Sequence, residues 1–169
     1  MLVGIIADSH DHVPMIQRAC EVFNRRAVAM VFHAGDYIAP FSLNPLNQLL
    51  TCEYRGVFGN NDGEQRGLQK TANNRLCASP AENRLCASPA AFTVGEWQVL
   101  VAHDLPAPVE AAADTSYRLI IFGHTHRPEV KRVGDTLLVN PGECGGWLFG
   151  RSTVAIADLS TLTAEIIDL

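Results

Sequence analysis

Five apolar runs along the 169-residue chain each end abruptly in polar residues. Leu2-Val3-Gly4-Ile5-Ile6-Ala7 runs into Asp8-Ser9-His10, and Val31-Phe32-His33-Ala34 into Gly35-Asp36. Val57-Phe58 leads to Gly59-Asn60-Asn61-Asp62, Trp97-Gln98-Val99-Leu100-Val101-Ala102 to His103, and Leu119-Ile120-Ile121-Phe122 to Gly123-His124-Thr125-His126. Short apolar runs closed by turn residues read as buried strands. Strands are expected over residues 2–7, 28–33 and 53–58. Between them, Met15, Ile16, Ala19, Cys20 and Phe23 recur with a helical period over residues 15–23, with Pro14 at the first turn. A short helix closes over residues 46–50. This strand–helix order argues a parallel sheet with crossover helices.

The second half of the chain has a different rhythm. Residues 91–94, the turn Gly95-Glu96 and residues 97–102 read as a hairpin. Residues 106–113, opened by prolines and rich in alanine, predict a helix. Further strands are expected over 119–122, 129–133, 136–140, 152–158 and 164–167, with a tight turn at Gly134-Asp135. The pattern predicts one α/β domain spanning residues 1–169: two mixed β-sheets packed together, with helices outside.

One stretch breaks the pattern. Asn74-Arg75-Leu76-Cys77-Ala78-Ser79-Pro80-Ala81 is repeated letter for letter from Asn83 to Ala90. Nine residues are too few for a repeat architecture, whose units run to about 20 or more. The duplicated segment, at about 73–90, is therefore expected in a surface loop, where added length costs little.

Composition narrows the class of protein. Hydrophobic residues make up 47% of the chain, enough for a sizeable core, and charged residues only 18%. The net charge of −5 and the absence of a Lys/Arg-rich run exclude avid, sequence-independent binding to nucleic acid. No apolar stretch approaches the ~20 residues of a membrane span. Five cysteines, with no Cys-x-x-Cys spacing and no signal-peptide pattern ahead of them, favour free thiols in a cytoplasmic setting.

The residues at the strand ends are carboxylates, imidazoles and amides. Such oxygen and nitrogen donors suit divalent ions like Mn, Fe, Zn or Ni. Asp8 and His10 lie two apart and can reach one ion. Asp36 follows a glycine that lets the backbone turn sharply, and its two oxygens can bridge two ions. Asn60 offers a neutral oxygen, and His124 and His126 alternate around Thr125 so that both point the same way if the segment is extended. Counting gives Asp8, His10, Asp36 and His126 around one ion, and Asp36, Asn60, His103 and His124 around the other. Two such ions would share a hydroxide, lower its pKa and polarise a phosphoryl oxygen.

The order Asp8-x-His10, Gly35-Asp36, Gly59-Asn60-Asn61-Asp62, His103, Gly123-His124-x-His126 resembles the calcineurin-like metallophosphoesterase superfamily. Asp8-Ser9-His10-Asp11-His12, Gly59-Asn60-Asn61-Asp62-Gly63-Glu64 and Asn140-Pro141-Gly142-Glu143-Cys144 are similar to its small single-domain archaeal and bacterial phosphodiesterases. The resemblance implies a four-layer αββα sandwich with the site at the strand ends. It implies the same seven metal ligands, and two divalent ions, manganese first, with Ni, Fe, Zn or Mg as further choices.

Two departures stand out. Many superfamily members carry a proton-donating or phosphate-binding His where this chain has Asn61. An amide can hydrogen-bond a phosphoryl oxygen but cannot act as a general acid, so leaving groups of low pKa are expected to be favoured. Asp104-Leu105-Pro106 follows His103 where the family usually has Gly. His12 is a candidate proton donor at the rim, or else a polar residue near a helix start. His33 reads as a core histidine or an outer partner of the site, Asp62 as a loop-orienting residue, and Cys144 as a small buried residue. Asn140 and Gly142 read either as a plain turn or as backbone approaching the site.

The expected function is a phosphodiesterase acting on small or activated esters, with Asn61 and His12 as catalytic candidates. Its partner is then a small phosphate ester; a homodimer is allowed, and no membrane or stable nucleic-acid contact is expected. The alternative is a noncatalytic metal-binding scaffold resembling the retromer subunit of the same superfamily. A metallo-β-lactamase type would need a His-x-His-x-Asp-His run, which is absent.

Overall fold

The structure, a computed structural model, describes residues 1–73, 84–104 and 116–169. The first apolar run forms β1 (Leu2–Ile6), buried from Val3 onward. It leads into α1 (Val13–Arg25), where Pro14 sits in the first turn and its missing N–H costs no helix bond. Ile16, Ala19, Cys20 and Phe23 form the buried stripe of this helix. Then come β2 (Met30–His33), a 3-10 turn (Pro40–Leu43), α2 (Asn44–Leu49) and β3 (Glu53–Val57).

Two elements escape the sequence pattern. The helix α3 (Gln65–Asn73) buries only Leu68 and Ala72, too thin a stripe to read against its polar background. The strand β4 (Leu85–Cys86) is two residues long. β1 to β4 run parallel in the order β1-β2-β3-β4. On the other side of β1 the sheet continues antiparallel through β10 (Thr153–Asp158) to β11 (Thr163–Asp168).

The second sheet holds β5 (Ala90–Val94), β6 (Trp97–Val101), β7 (Leu119–Ile121), β8 (Pro128–Val133) and β9 (Thr136–Pro141). Its order is β5-β6-β7-β9-β8. β6, β7 and β9 are parallel, and the hairpins β5–β6 and β8–β9 are antiparallel. The fold is thus α/β with two mixed sheets.

Strand alternation sorts the core into layers. Val3, Ile5, Phe32 and Val57 of the first sheet meet Val99, Val101, Leu119 and Ile121 of the second. The neighbours Ile6, Val31 and Tyr54 face the other way, toward Phe23, Leu46 and Leu68 of the helices. Leu100, Ile120, Phe122 and Leu138 form a third cluster on the far face of the second sheet. The helix expected over residues 106–113 lies outside the described residues. Among the described residues no helix is long and apolar enough to cross a membrane.

The repeated segment is not all surface loop. Residues 74–83, which hold the first copy, lie outside the described residues. In the second copy, Leu85 is buried and pairs with Gly56 of β3, Arg84 is buried in an ion pair with Glu53, and Ser88 accepts the backbone N–H of His103 at 2.9 Å. The reason is topological: the free edge of β3 can accept one more parallel strand, and two identical segments cannot reveal which one takes it. Asn73 Oδ1 accepts the Arg84 N–H at 3.2 Å, so the chain returns to where it left.

Candidate metal centre

Parallel strands place their C-terminal ends on one edge, and the predicted ligands follow those ends. Asp8 and His10 follow β1, Asp36 follows β2, Asn60 follows β3, His103 follows β6, and His124 and His126 follow β7. Backbone bonds lace these loops together. Asp8 N–H donates to the Gly35 carbonyl, Ser9 and His10 N–H to the Asp36 carbonyl, and Gly123 N–H to the His103 carbonyl.

The backbone here is unusual. Asp8, His10, Asp36, His124 and His126 all adopt positive φ, between 41° and 65°. Side chains rarely occupy that region, and each such residue costs on the order of 1–3 kcal/mol. Five of the seven predicted ligands share it, with Asp11 and Ile38 close by. The neighbouring glycines make room. A Cβ at Gly59 would collide with the Asp36 carboxylate, and one at Gly35 would come 2.8 Å from His103 Nδ1.

Ligand-type atoms of Asp8, His10 and His126 lie within 4.8 Å of one another, as do those of Asp8, Asp36 and His103. Asp36 Oδ2 is 3.5 Å from both His10 Nε2 and His103 Nε2, and His126 Nε2 is 3.5 Å from Asp8 Oδ1. Asn60 Oδ1 is 2.8 Å from His103 Nε2 and 3.0 Å from His124 Nδ1. His124 is exposed, and its backbone N–H donates to Asp8 Oδ2. All seven residues therefore meet in one place, with Asp8 in both clusters and Asp36 Oδ2 3.5 Å from one imidazole of each.

Hydrogen bonding fixes which nitrogens are bare. His103 Nδ1 lies 2.8 Å from the Ala34 carbonyl, which can only accept. A neutral His103 therefore turns an Nε2 lone pair toward Asp36 and Asn60. His126 Nδ1 lies 3.0 Å from Glu143 Oε2, so a neutral His126 turns its Nε2 lone pair toward Asp8. Asp8 Oδ1 and His10 Nε2 are buried with no hydrogen-bond partner. Lone pairs converging without protons between them are costly unless a cation sits among them. Burial pushes the Asp8 carboxyl up to about 8, with the nearby Asp36 charge adding to it. Burial likewise lowers His10, against the pull of Asp36. The donor set fits divalent metal ions, and the pairing of His103 with a carbonyl and of His126 with a carboxylate is the support such ligands usually have.

The remaining candidates take supporting places. Asp62 is buried and accepts four backbone N–H groups, from Asp36, Tyr37, Ile38 and Gly59, at 2.7–3.0 Å. It holds the Asp36 loop against the Asn60 loop, and burial raises its carboxyl. His33 is buried and accepts the Gly35 N–H at Nδ1, so its Nε2–H donates to Ser9 Oγ at 3.1 Å. Burial, then the charges of His103 and His10, holds it neutral. Asn61 donates its side-chain N–H to Asp36 Oδ2 at 2.7 Å and its backbone N–H to Oδ1 at 2.9 Å. His12 stands outside both ligand clusters, with Nδ1 2.6 Å from the Gly145 carbonyl and its ring stacked on Trp147. Cys144 is fully buried, and burial pushes its thiol up.

Two contributors go beyond the sequence expectation, which gave Glu143 no part and left Asn140 open between a plain turn and an approach to the site. Glu143 binds His126 and also accepts the N–H groups of Leu148 and Phe149. Burial alone would raise its carboxyl, but those bonds outweigh it and hold the group below the usual range. Asn140 donates to the Gly123 carbonyl and to Thr125 Oγ1, and its oxygen accepts the Gly142 N–H. It thereby pins the loop that carries His124 and His126. The signal lay in the motif Asn140-Pro141-Gly142-Glu143-Cys144, whose position across the site only the second sheet reveals.

With this geometry the comparisons with known proteins agree. Residues 1–162 match the profile of the calcineurin-like phosphoesterase superfamily domain. The chain belongs to that superfamily. It is 32% identical over 163 residues to a phosphodiesterase of Methanocaldococcus jannaschii, covering 94% of this chain and 93% of that one. A solved archaeal phosphodiesterase superimposes with a TM-score of 0.88 at 32% identity, over 100% of both chains. Vps29 of Chaetomium thermophilum superimposes with a TM-score of 0.67 at 14% identity, over 100% of this chain and 94% of that one, a likeness of fold. The superfamily is one of metal-dependent phosphoesterases, and this chain carries candidate groups for a divalent ion.

Proposed function

We propose that the protein is a phosphodiesterase that hydrolyses small or activated phosphate esters with two divalent ions, manganese first, with Ni, Fe, Zn or Mg as alternatives. The observation that carries this reading is the set of bare lone pairs on Asp8, His10, His103 and His126, which converge with the Asp36 carboxylate from four separate loops. When bound, the ions supply a nucleophilic water of lowered pKa and positive charge for the phosphoryl oxygens.

The chain's own residues hold and orient the parts. Asp8, His10, Asp36 and His126 hold one ion, and Asp36, Asn60, His103 and His124 the other. Asn61, exposed beside Asp36, carries the amide N–H that can hold a phosphoryl oxygen. It has no proton to give a leaving group. A neutral His12 with its Nδ1–H on Gly145 keeps only an acceptor at Nε2, so it donates a proton only as the imidazolium. Esters with acidic leaving groups are therefore the expected substrates. The formal charge of −5 and cysteines without paired spacing suit a small-molecule enzyme of the cytoplasm, free of nucleic acid.

Metal analysis combined with hydrolysis of bis(p-nitrophenyl) phosphate and p-nitrophenyl phosphate in Mn, Ni and Mg tests the reading. The expected result is two ions per chain and faster cleavage of the diester. A protein that binds both ions and cleaves neither ester would instead be the metal-binding scaffold.

A further inference from the structure

Beside the metal centre the chain exposes three large apolar side chains in a row: Trp147 at 62%, Leu148 at 67% and Phe149 at 52%. Exposed surface of this kind marks a binding surface more often than chance. Two of the three are built into the centre. Trp147 donates its indole N–H to the carbonyl of His10 at 3.2 Å and stacks on His12 with ring centroids 4.6 Å apart. Phe149 carries the Arg127 guanidinium over its face, 5.1 Å from the ring centroid. The backbone N–H groups of Leu148 and Phe149 are tied to Glu143, whose carboxylate also binds His126. Arg127 follows the predicted ligand His126 directly, and its guanidinium lies over Phe149.

We propose that Trp147 and Phe149, with Arg127, form a specificity subsite that stacks the nucleobase of a nucleotide phosphodiester held at the metal centre. This rests on the phosphodiesterase reading and adds the class of substrate. A planar ring stacks on an aromatic face whatever its hydrogen-bonding pattern, and the guanidinium supports both the ring and the phosphate's charge. The indole N–H of the shelf is turned inward to the His10 loop, and its cation is carried by the residue next to His126. A dry interface with another protein would draw on neither feature.

Two esters with one leaving group separate this from leaving-group chemistry: thymidine 5′-(p-nitrophenyl phosphate) and methyl p-nitrophenyl phosphate. The parent protein is expected to prefer the thymidine ester roughly ten-fold in kcat/KM, the scale of one stacked base. Trp147→Ala and Phe149→Ala should each bring the ratio toward one, and Trp147→Phe should restore it. Equal rates in the parent, or a fall in both esters that leaves the ratio intact, overturns the proposal.

Binding gives a second readout. In a Trp97→Phe background Trp147 is the sole tryptophan, and its fluorescence should be quenched saturably by thymidine 5′-monophosphate and not by methyl phosphate. That difference in a protein that cleaves neither ester would sustain the shelf and reject the reaction. Quenching alike by both phosphates rejects the shelf. Sedimentation showing a dimer that Trp147→Ala dissolves would assign the surface to a second copy and also overturn the proposal.

Discussion

The two sheets contribute differently to one site. The first sheet brings Asp8, Asp36 and Asn60, with His10 as its sole predicted imidazole ligand; the second brings His103, His124 and His126. The carboxylates are buried and held by N–H donors, from Asn61 to Asp36 and from the His124 backbone to Asp8, with Asp62 bracing the Asp36 loop. The imidazoles are held by acceptors placed behind them: the Ala34 carbonyl for His103 and Glu143 for His126. A buried carboxylate needs donors or cations, whereas a ligating imidazole needs an acceptor to fix its tautomer. The division follows from that chemistry, and it sets the order in which damage should be felt.

Removing the shared carboxylate should do the most. Asp36 lies 3.5 Å from imidazoles contributed by both sheets, so Asp36→Ala is expected to lose both ions and reduce hydrolysis to background. Two ions retained per chain by elemental analysis would sink the assignment.

The second sheet's brace comes next. Glu143→Gln keeps the shape but weakens the acceptor behind His126, with an expected loss of about 10–100-fold in metal affinity. Calorimetric titration with Mn measures it, and an unchanged affinity would show that His126 is not a ligand. An equal effect from Asp62→Asn would erase the contrast between the sheets, because Asp62 acts on backbone and not on a ligand ring.

Asn61 probes the chemistry itself. Asn61→His should flatten the dependence of rate on leaving-group pKa and speed poor leaving groups by up to about 10²-fold. Rates across a series of aryl esters decide it; a shallow slope in the parent, unchanged by the substitution, would mean that an acid already exists.

The smallest effect is reserved for the repeat. Because Asn73 and Arg84 are in contact, deleting residues 74–82 should leave stability within about 0.5 kcal/mol of the parent. Leu85→Ala, in the buried copy, should cost about 2–4 kcal/mol. Urea melts of the two variants compare them, and a large loss on deletion would show that the first copy also carries structure.

Much of this was legible in the residues. Buried parallel strands read as unbroken apolar runs, so β1, β2, β6 and β7 stood out, and so did the polar residues that end them. The α1 stripe was plain because four of its thirteen residues are buried at helical spacing. The helix α3 and the strand β4 were missed because one buries two side chains and the other is two residues long. The part played by Glu143 was missed for a different reason. Its two sets of partners, His126 at 17 residues and Leu148–Phe149 at five or six, are joined through space and leave no periodic trace.

The sequence by itself determined which chemistry the site can hold, since oxygen and nitrogen donors at strand ends are a matter of residue type and local pattern. Tertiary structure decided everything that depends on approach between distant segments. It chose the second of two identical segments as β4, placed Asp8 in both ligand clusters, set Glu143 behind His126, and brought Trp147 against His12. Strand order and sheet packing are long-range choices, paid in loop-closure entropy and returned as burial, and no single stretch of chain encodes them.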